Sequence, residues 1–266
     1  MTVTTINPPG TFSWIELATT NGPGARDFYS KLFGWEVKET PMGPDFTYYV
    51  FQQGGVDVAA MYQLMPDQLK MSIPPHWLSY IAVASADETS AKATALGGAV
   101  IKAPFDVGTH GRMALIQDPQ GAHFALWQAY DNGGIGKRGE PGSLVWNELA
   151  STDIKGATAF YSGLFAWDTK VMPMPGMDYT IFEREGSGVG VGGGYQIMPK
   201  MGPMPPHWLP YFAVTECDGA VSHAGTLGGE VVMPATDIPD VGRFALLRDP
   251  AGAVFAVLKP IPRPGA

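Results

Sequence analysis

Short runs of alternating hydrophobic and polar residues follow one another along the chain, interrupted at regular points by helical spacing. The run FSWIEL, which begins at Phe12, alternates and is typical of a strand. In the next segment, NGPGARDFYSKLF, Phe28 and Leu32 share one helical face, Asn21 suits the N-cap, and Pro23 lies near the first helical position. Several strand-like runs follow before the order begins again. The pattern predicts repeated βαβββ units.

The second predicted unit shows the same order of strands and helix, with its own helix-ending and turn residues. The strand-like run WLSYIAVA is followed by a helix from Asp87, which Gly97 and Gly98 end in the manner of a C-terminal cap. Three strand-like runs come next, and DPQG makes a tight turn between the last two. Each half of the chain therefore predicts two βαβββ units.

The two halves repeat each other at a nearly constant offset in residue number. PPHWLSY at 74–80 returns as PPHWLPY at 205–211, and the offset of these two segments is 207 − 76 = 131. GRMALIQDPQGAHFALW at 111–127 returns as GRFALLRDPAGAVFAVL at 242–258, at the same offset of 242 − 111 = 131. A repeat of this length is a whole folding module rather than a solenoid unit.

The repeat sets the predicted domain organisation. A first module covers residues 11–128 and a second covers 143–260, each with two βαβββ units. Residues 129–142, AYDNGGIGKRGEPG, are rich in glycine, lack an apolar period and predict a linker.

Composition narrows the class of protein. The net charge of the 266 residues is −8 and no basic run occurs, which argues against nucleic acid or an anionic membrane as a partner. No apolar stretch approaches the roughly 20 residues of a membrane helix. Cys217 is the single cysteine, which excludes an intrachain disulfide and suits a small buried hydrophobe. The opening residues do not resemble a signal peptide, so we expect a cytoplasmic protein.

The unit order, the helix ending FYSKLFGW, the helix stop ALGG and the segment GRMALIQDPQGAHFALW resemble the vicinal oxygen chelate superfamily. This is the glyoxalase/bleomycin-resistance/extradiol-dioxygenase group. The tandem form is similar to two-module actinobacterial proteins typified by a mycobacterial antigen, over roughly residues 11–260. The resemblance implies an α+β fold in which four βαβββ units form two glyoxalase-like modules. Each module would be a half-open, curled β-sheet barrel around a cavity.

The resemblance also implies where a metal would bind. Metal-using relatives take ligands from the first and last strands of each unit. Glu16 and Glu148 lie on first strands, but the ligand position of the last strand falls on Ala125 and Ala256, whose methyl groups bind no metal. We therefore expect no cofactor. The alternative is a divalent metal in the first module, held by Glu16 and His123.

A glutamate embedded in WIEL or WNEL is costly to bury without a partner. Arg112 and Arg243 recur, each after a glycine just before a strand, so internal pairs with Glu16 and Glu148 are one hypothesis. Two solvated charges in each module are a second. Direct contact of the guanidinium with a ligand oxygen is a third.

Aromatic residues on the strands predict the lining of an apolar ligand pocket. Alternation puts Trp14 on the same strand face as Glu16, and His123 on the same face as Trp127. The alternative is that the indoles plug the barrel or join the modules. The candidate lining residues are Trp14, Tyr48, Trp77 and Trp127 in the first module and Trp146, Tyr179 and Trp208 in the second.

Two further features recur or stand out near the predicted pockets. His76 and His207 follow two prolines at the start of a strand, where an architectural role competes with ligand contact or acid–base chemistry. The glycine-rich stretch at 186–196 lacks the following helix of a nucleotide-binding loop. We expect its glycines to leave room, for a wider cavity or a more sharply curved sheet.

These features predict a protein that binds a small aromatic or hydrophobic metabolite in a metal-free pocket. It would sequester the metabolite or assist its acid–base conversion, with Glu16 and His123 as the catalytic candidates. A metal-dependent lyase or oxygenase of glyoxalase type is the first alternative, and a non-catalytic interaction protein is the second. We expect a monomer or homodimer with a small-molecule ligand, without nucleic acid or membrane partners.

Overall fold

A computed structural model describes residues 7–43, 46–174 and 176–261. Residues 1–6, which form part of the segment that does not resemble a signal peptide, lie outside this description. Within the described ranges, no helix is both long enough and apolar enough to cross a membrane.

The chain forms four βαβββ repeats in sequence order. Repeat 1 contains β1 (Phe12–Thr19), α1 (Gly22–Phe33), β2 (Glu36–Pro41), β3 (Thr47–Gln53) and β4 (Val56–Gln63), and the short helix α2 (Pro66–Lys70) follows it. Repeat 2 contains β5 (His76–Ala82), α3 (Ala86–Ala95), β6 (Ala99–Val107), β7 (Gly111–Gln117) and β8 (His123–Ala129).

The second half has the same order. Repeat 3 contains β9 (Leu144–Ser151), α4 (Ile154–Phe165), β10 (Asp168–Met174), β11 (Met177–Glu183) and β12 (Gly190–Gln196), and a 3-10 turn (Pro199–Met201) follows it. Repeat 4 contains β13 (His207–Ala213), α5 (Cys217–Thr226), β14 (Glu230–Ile238), β15 (Gly242–Arg248) and β16 (Val254–Pro260).

The strands form two eight-stranded mixed sheets with the same order. The first is β2-β3-β4-β1-β5-β8-β7-β6 and the second is β10-β11-β12-β9-β13-β16-β15-β14. In every repeat the first strand pairs in parallel with the last, which the crossover through the helix makes possible. The Cα partners are Glu16–Ala60, Tyr80–Ala125, Glu148–Gly193 and Tyr211–Ala256. The predicted α+β fold of four βαβββ units in two glyoxalase-like modules is confirmed.

Local signals in the sequence determine the helix ends. The Asn21 side chain accepts a hydrogen bond from the Gly24 backbone N–H at 3.1 Å and caps α1, as predicted. Helix α3 begins one residue before the predicted Asp87, with Ser85 as its N-cap. Gly97 follows this helix with a φ of +90°, a conformation that glycine adopts without strain.

The chain divides into two compact units, each with one repeat from either half. The first unit consists mainly of residues 78–135 and 146–209, which contain repeats 2 and 3. The second consists mainly of residues 15–77 and the residues from 210 onward, which contain repeats 1 and 4. The module boundaries at 11–128 and 143–260 remain a prediction.

A hydrogen-bonded chain of three side chains lies in the core of the first unit. Trp208 Nε1 donates to the Tyr161 hydroxyl at 2.8 Å, and that hydroxyl donates to Oδ2 of Asp118 at 3.0 Å. The other oxygen of Asp118 accepts the backbone N–H groups of residues 120–122 at 2.8 to 2.9 Å. All three side chains are buried, and each of their polar atoms has a hydrogen-bond partner.

The second unit contains the same chain, formed by Trp77, Tyr29 and Asp249. Its two side-chain hydrogen bonds are 3.1 and 3.0 Å long, and Asp249 again accepts backbone N–H groups, here from residues 251–253. We call each of these a Trp–Tyr–Asp chain. The two chains account for the recurrence of PPHW, FYS and DPxG, because each motif supplies one of their members.

Replacing Tyr161 with Phe should destabilise the fold strongly. The substitution leaves the Trp208 N–H and one oxygen of Asp118 buried without a partner, and each such group costs about 1–3 kcal/mol. We expect the free energy of unfolding in urea to fall by about 2–4 kcal/mol. Tyr130→Phe, which removes an exposed hydrogen bond to Asp106, should change it by about 0.5 kcal/mol or less. Equal effects of the two substitutions would contradict this account.

Candidate functional site

One carboxylate of the first module lies among tyrosines on a sheet face. The Tyr48 hydroxyl of β3 donates to Oε2 of Glu16 on β1 at 2.5 Å. Tyr62 of β4 lies directly opposite Tyr48, and Ala60, two residues earlier on that strand, lies opposite Glu16. Alternation therefore puts all three side chains on one face. We call Glu16, Tyr48 and Tyr62 the repeat 1 cluster.

The second module repeats the arrangement. Tyr179 of β11 is hydrogen-bonded to Glu148 of β9 and accepts a hydrogen bond from Trp146 Nε1 at 2.9 Å. Tyr195 of β12 lies opposite Tyr179, and Gly193 lies opposite Glu148. We call Glu148, Tyr179 and Tyr195 the repeat 3 cluster. Each of its members corresponds through the duplication to one member of the repeat 1 cluster.

The clusters lie on the sheet faces that α1 and α4 leave uncovered. Phe51, whose side chain points away from Tyr48, packs on Tyr29 of α1 with a ring distance of 6.2 Å. Phe182 packs in the same way on Tyr161 of α4, at 6.0 Å. Each repeat thus uses one face for its helix and presents the Glu–Tyr cluster on the other.

Three of the cluster tyrosines are held in the protonated form at neutral pH. Burial, and after it the charge of Glu148, raise the pKa of Tyr179 and Tyr195 well above the usual 10. Burial, and then the charge of Glu16, raise the pKa of Tyr62 in the same direction. The clusters therefore combine phenol O–H donors with one carboxylate acceptor. Such a pair can bind a ligand oxygen and exchange a proton with it.

The glycine-rich stretch makes room for side chains of the repeat 3 cluster. A Cβ on Gly193 would lie 2.6 Å from the Tyr179 hydroxyl oxygen, and one on Gly190 would lie 3.0 Å from the Trp146 ring. At Gly190 and Gly193, the missing side chains leave room for two aromatic rings. A wider cavity or a more sharply curved sheet along the whole stretch remains a prediction.

The residues at the expected metal positions do not fit a divalent ion. Ala125 and Ala256 are fully buried, and each lies opposite a tyrosine and a leucine: Tyr80 and Leu115 for the first, Tyr211 and Leu246 for the second. Across the described ranges, no three His, Cys, Asp or Glu side chains come together to hold an ion. One oxygen of Glu16 already accepts the Tyr48 hydroxyl proton. His123, the alternative ligand, is exposed at the first residue of β8.

The hypothesis of internal Glu–Arg pairs is wrong. Arg112 lies opposite Gln128 in the β7–β8 register, so it points away from the face of Trp127. Both arginines instead make bidentate ion pairs with an aspartate on the helix of their own repeat and a further contact with an edge-strand aspartate. The pairs are Arg112 with Asp87 and Asp106, and Arg243 with Asp218 and Asp237, at 2.7 to 3.1 Å. A ligand contact of either arginine remains a prediction.

His76 and His207 are half-buried at the starts of β5 and β13. Each Nδ1 donates to the carbonyl oxygen two residues earlier, Pro74 or Pro205, at 2.8 Å. Burial lowers the pKa of both histidines below the usual 6.5, and the hydrogen bond to the carbonyl only partly opposes this. Burial thus favours the neutral imidazole, and the hydrogen bond to the carbonyl fixes the ring at the start of each strand.

The five candidate tryptophans fall into three groups. Trp77 and Trp208 lie in the Trp–Tyr–Asp chains, with side chains 5% and 3% exposed, and the structure does not bring them to the Glu–Tyr clusters. Trp14 is buried in β1, and Trp146 belongs with the repeat 3 cluster. Trp127 donates to the Asn132 carbonyl at 3.0 Å and lines a cavity of about 370 Å³ in the first compact unit.

Sequence reasoning missed four tyrosines that the strand register brings to these faces. Tyr62 and Tyr195 complete the Glu–Tyr clusters, while Tyr80 and Tyr211 lie beside the alanines of the last strands. A signal was present. Each pair recurs at the offset of the duplication, since 195 − 62 = 133 and 211 − 80 = 131.

Comparison with known proteins identifies the family. The family model of the Glyoxalase/Bleomycin resistance protein/Dioxygenase superfamily matches residues 11–126. The chain is 39% identical over 256 residues to "Putative glyoxylase CFP32" of Mycobacterium tuberculosis, with 96% of each chain covered. It is 32% identical to "Anthracycline biosynthesis protein DauV" of Streptomyces sp. strain C5, with 94% of each covered. The chain belongs to the glyoxalase/bleomycin resistance protein/dioxygenase superfamily.

Solved structures share the fold at low sequence identity. The Mn(II)-bound glyoxalase from Novosphingobium aromaticivorans aligns with a TM-score of 0.64 at 14% identity, covering 94% of this chain and 82% of that one. The 2,3-dioxygenase LapB from Pseudomonas sp. KL28 aligns with the same TM-score and identity, covering 98% and 96%. These similarities support the fold alone.

The histidines should make stability depend on pH. Because their pKa values are depressed on folding, their contribution is present above the unfolded value of 6.5 and is lost as the pH falls through the folded value. We expect the free energy of unfolding to fall less steeply between pH 7 and 5 in the double variant His76→Asn/His207→Asn. Asn can still donate to the proline carbonyl but does not titrate. A double variant with the same slope as the wild type would contradict this account.

Proposed function

We propose that this protein binds a small, planar aromatic metabolite at its Glu–Tyr clusters and does so without a metal ion. Sequestration of the metabolite and its acid–base conversion both follow from such a site, since a phenol and a carboxylate can hold a ligand oxygen or move its proton. The proposed catalytic group is the carboxylate of the cluster, Glu16 or Glu148.

The observation that carries this proposal is the hydrogen bond between tyrosine and glutamate, present in both modules. The Tyr48 hydroxyl donates to Glu16, and the Tyr179 hydroxyl is hydrogen-bonded to Glu148. A phenol thus stabilises the carboxylate that would otherwise need a cation or solvent. The last strands carry Ala125 and Ala256 where further metal ligands would be needed, and an alanine side chain cannot bind an ion.

The aromatic surroundings support a planar ligand. In the repeat 3 cluster, Glu148 shares its sheet face with two tyrosine rings and with the indole of Trp146, which provide apolar faces with few polar atoms. The name of one relative, an anthracycline biosynthesis protein, points to the same class of molecule. The name of another, a glyoxylase, points to a small carbonyl compound instead.

Removal of metal should leave ligand binding intact. We expect 9-fluorenone, a planar aromatic ketone, to bind with the same dissociation constant before and after dialysis against EDTA, measured by quenching of tryptophan fluorescence. Elemental analysis of the undialysed protein should show less than a stoichiometric amount of Mn, Fe, Ni or Zn. Loss of binding on dialysis, restored by one of these ions, would overturn the metal-free site.

The carboxylates should contribute to binding a hydroxylated ligand. The double variant Glu16→Gln/Glu148→Gln keeps the size of the side chains but loses the charged acceptors. We expect it to bind 1,8-dihydroxyanthraquinone about tenfold or more weakly, since a hydrogen bond to a charged group contributes about 1.5–3 kcal/mol. Glu36→Gln, on exposed strand β2, is the matched control and should bind as the wild type does. Unchanged affinity in the double variant would contradict the role of the carboxylates.

A further inference from the structure

The two Glu–Tyr clusters differ at one hydroxyl group. In repeat 1, the Tyr62 hydroxyl accepts a hydrogen bond from Gln68 Nε2 at 3.0 Å. Gln68 lies in α2, and its side-chain oxygen accepts the Met65 backbone N–H at 2.9 Å. The short helix therefore holds an amide against Tyr62. The Tyr62 oxygen thus already accepts a hydrogen bond from a protein group.

In the described part of the chain, the corresponding phenol of repeat 3 has no such partner. Within the residues that the structure describes, the Tyr195 hydroxyl makes no hydrogen bond, although Tyr195 is half-buried and close enough to Glu148 to interact with its charge. Tyr48 and Tyr179, by contrast, both engage their glutamates.

The sequence explains the difference. The separation in residue number from Tyr62 to His76 is 76 − 62 = 14, but from Tyr195 to His207 it is only 207 − 195 = 12. The shorter connection forms the 3-10 turn Pro199–Met201 in place of α2. Met201 stands at the position of Gln68 when the offset of the tyrosines is kept, and a thioether cannot donate a hydrogen bond. The second module lacks the amide that is hydrogen-bonded to the phenol of the first.

We propose that the repeat 3 cluster is the polar anchor of the ligand, and that the Tyr195 hydroxyl donates a hydrogen bond to a carbonyl or hydroxyl oxygen on it. In the repeat 1 cluster, the Gln68 amide lies against the Tyr62 hydroxyl and closes the approach of a ligand oxygen to it. This rests on the proposed function and makes it specific, because it assigns the two modules different roles and gives the ligand a required oxygen atom.

The chemistry of the repeat 3 cluster limits the ligand class. Tyr195 is a protonated donor, so it selects an oxygen that accepts a hydrogen bond. The nearby charge of Glu148 disfavours carboxylates and phosphates, which would bring a second negative charge into a half-buried site. A neutral aromatic ketone or quinone meets both conditions. A hydroxyl beside the carbonyl would add a donor for Glu148.

Two probes that differ only at the oxygen test the assignment. 9-Fluorenone and fluorene have the same rings, but only the former has a carbonyl. We expect wild-type protein to bind one equivalent of fluorenone, and Tyr195→Phe to weaken that binding about five- to tenfold while fluorene binding stays the same. Tyr49→Phe, on the β3 face opposite Tyr48, is the matched control and should leave both affinities unchanged.

A second variant tests the closure of the other cluster. Gln68→Met reproduces the side chain of the second module, and we expect it to add a second equivalent of fluorenone. Suppose that wild-type protein binds fluorenone but Tyr195→Phe does not weaken this binding, or that Gln68→Met still binds one equivalent. Either result would show that the proposed division between the modules is wrong, while the proposed function would stand. If wild-type protein binds neither probe, the proposed function fails, and the anchor at Tyr195 fails with it.

Discussion

The buried Trp–Tyr–Asp chain is the constraint on which the rest of the structure depends. An aspartate in a DPxG turn enters the core, where its charge would be destabilising without donors. Three backbone N–H groups and one tyrosine hydroxyl supply them, and a tryptophan N–H satisfies the tyrosine in turn. Three elements distant in sequence are thereby fixed together: the last hairpin of one repeat, the helix of another and the strand that begins with PPHW.

This constraint also determines which sheet face remains available for a ligand. The tyrosines of the two chains, Tyr29 and Tyr161, lie on helices, so those helices must cover the faces that carry Phe51 and Phe182. Glu16 and Glu148 then belong to the other face, because side chains alternate along a strand. The packing of the core and the position of the Glu–Tyr clusters are two consequences of one arrangement.

The sequence predicted the fold well because its signals are local or repeated. Asn21, Gly97 and the alternation of FSWIEL each act within a few residues, and the duplication exposed the unit length. The hypothesis that paired Arg112 with Glu16 was wrong because the sheet face on which Arg112 lies depends on the strand register. Arg112 lies opposite Gln128 and therefore points toward the helix side, a fact that alternation within one strand leaves open. Tyr62 was missed for the same reason, since only the pairing of β3, β4 and β1 brings it near Glu16.

A partly buried carboxylate can be stabilised either by a metal ion or by a hydrogen bond from a phenol. In metal-using members of the superfamily, as the resemblance implies, a cation does this, and ligands on the last strand help to hold the cation. Here the Tyr48 O–H stabilises Glu16 by a hydrogen bond. Ala125 stands where the resemblance places the ligand of the last strand. An arriving ion would have to displace the phenol hydrogen bond and would then find too few ligands to complete its coordination. Substituting a glutamate for Ala125 alone would therefore leave the hydrogen bond between Tyr48 and Glu16 in place.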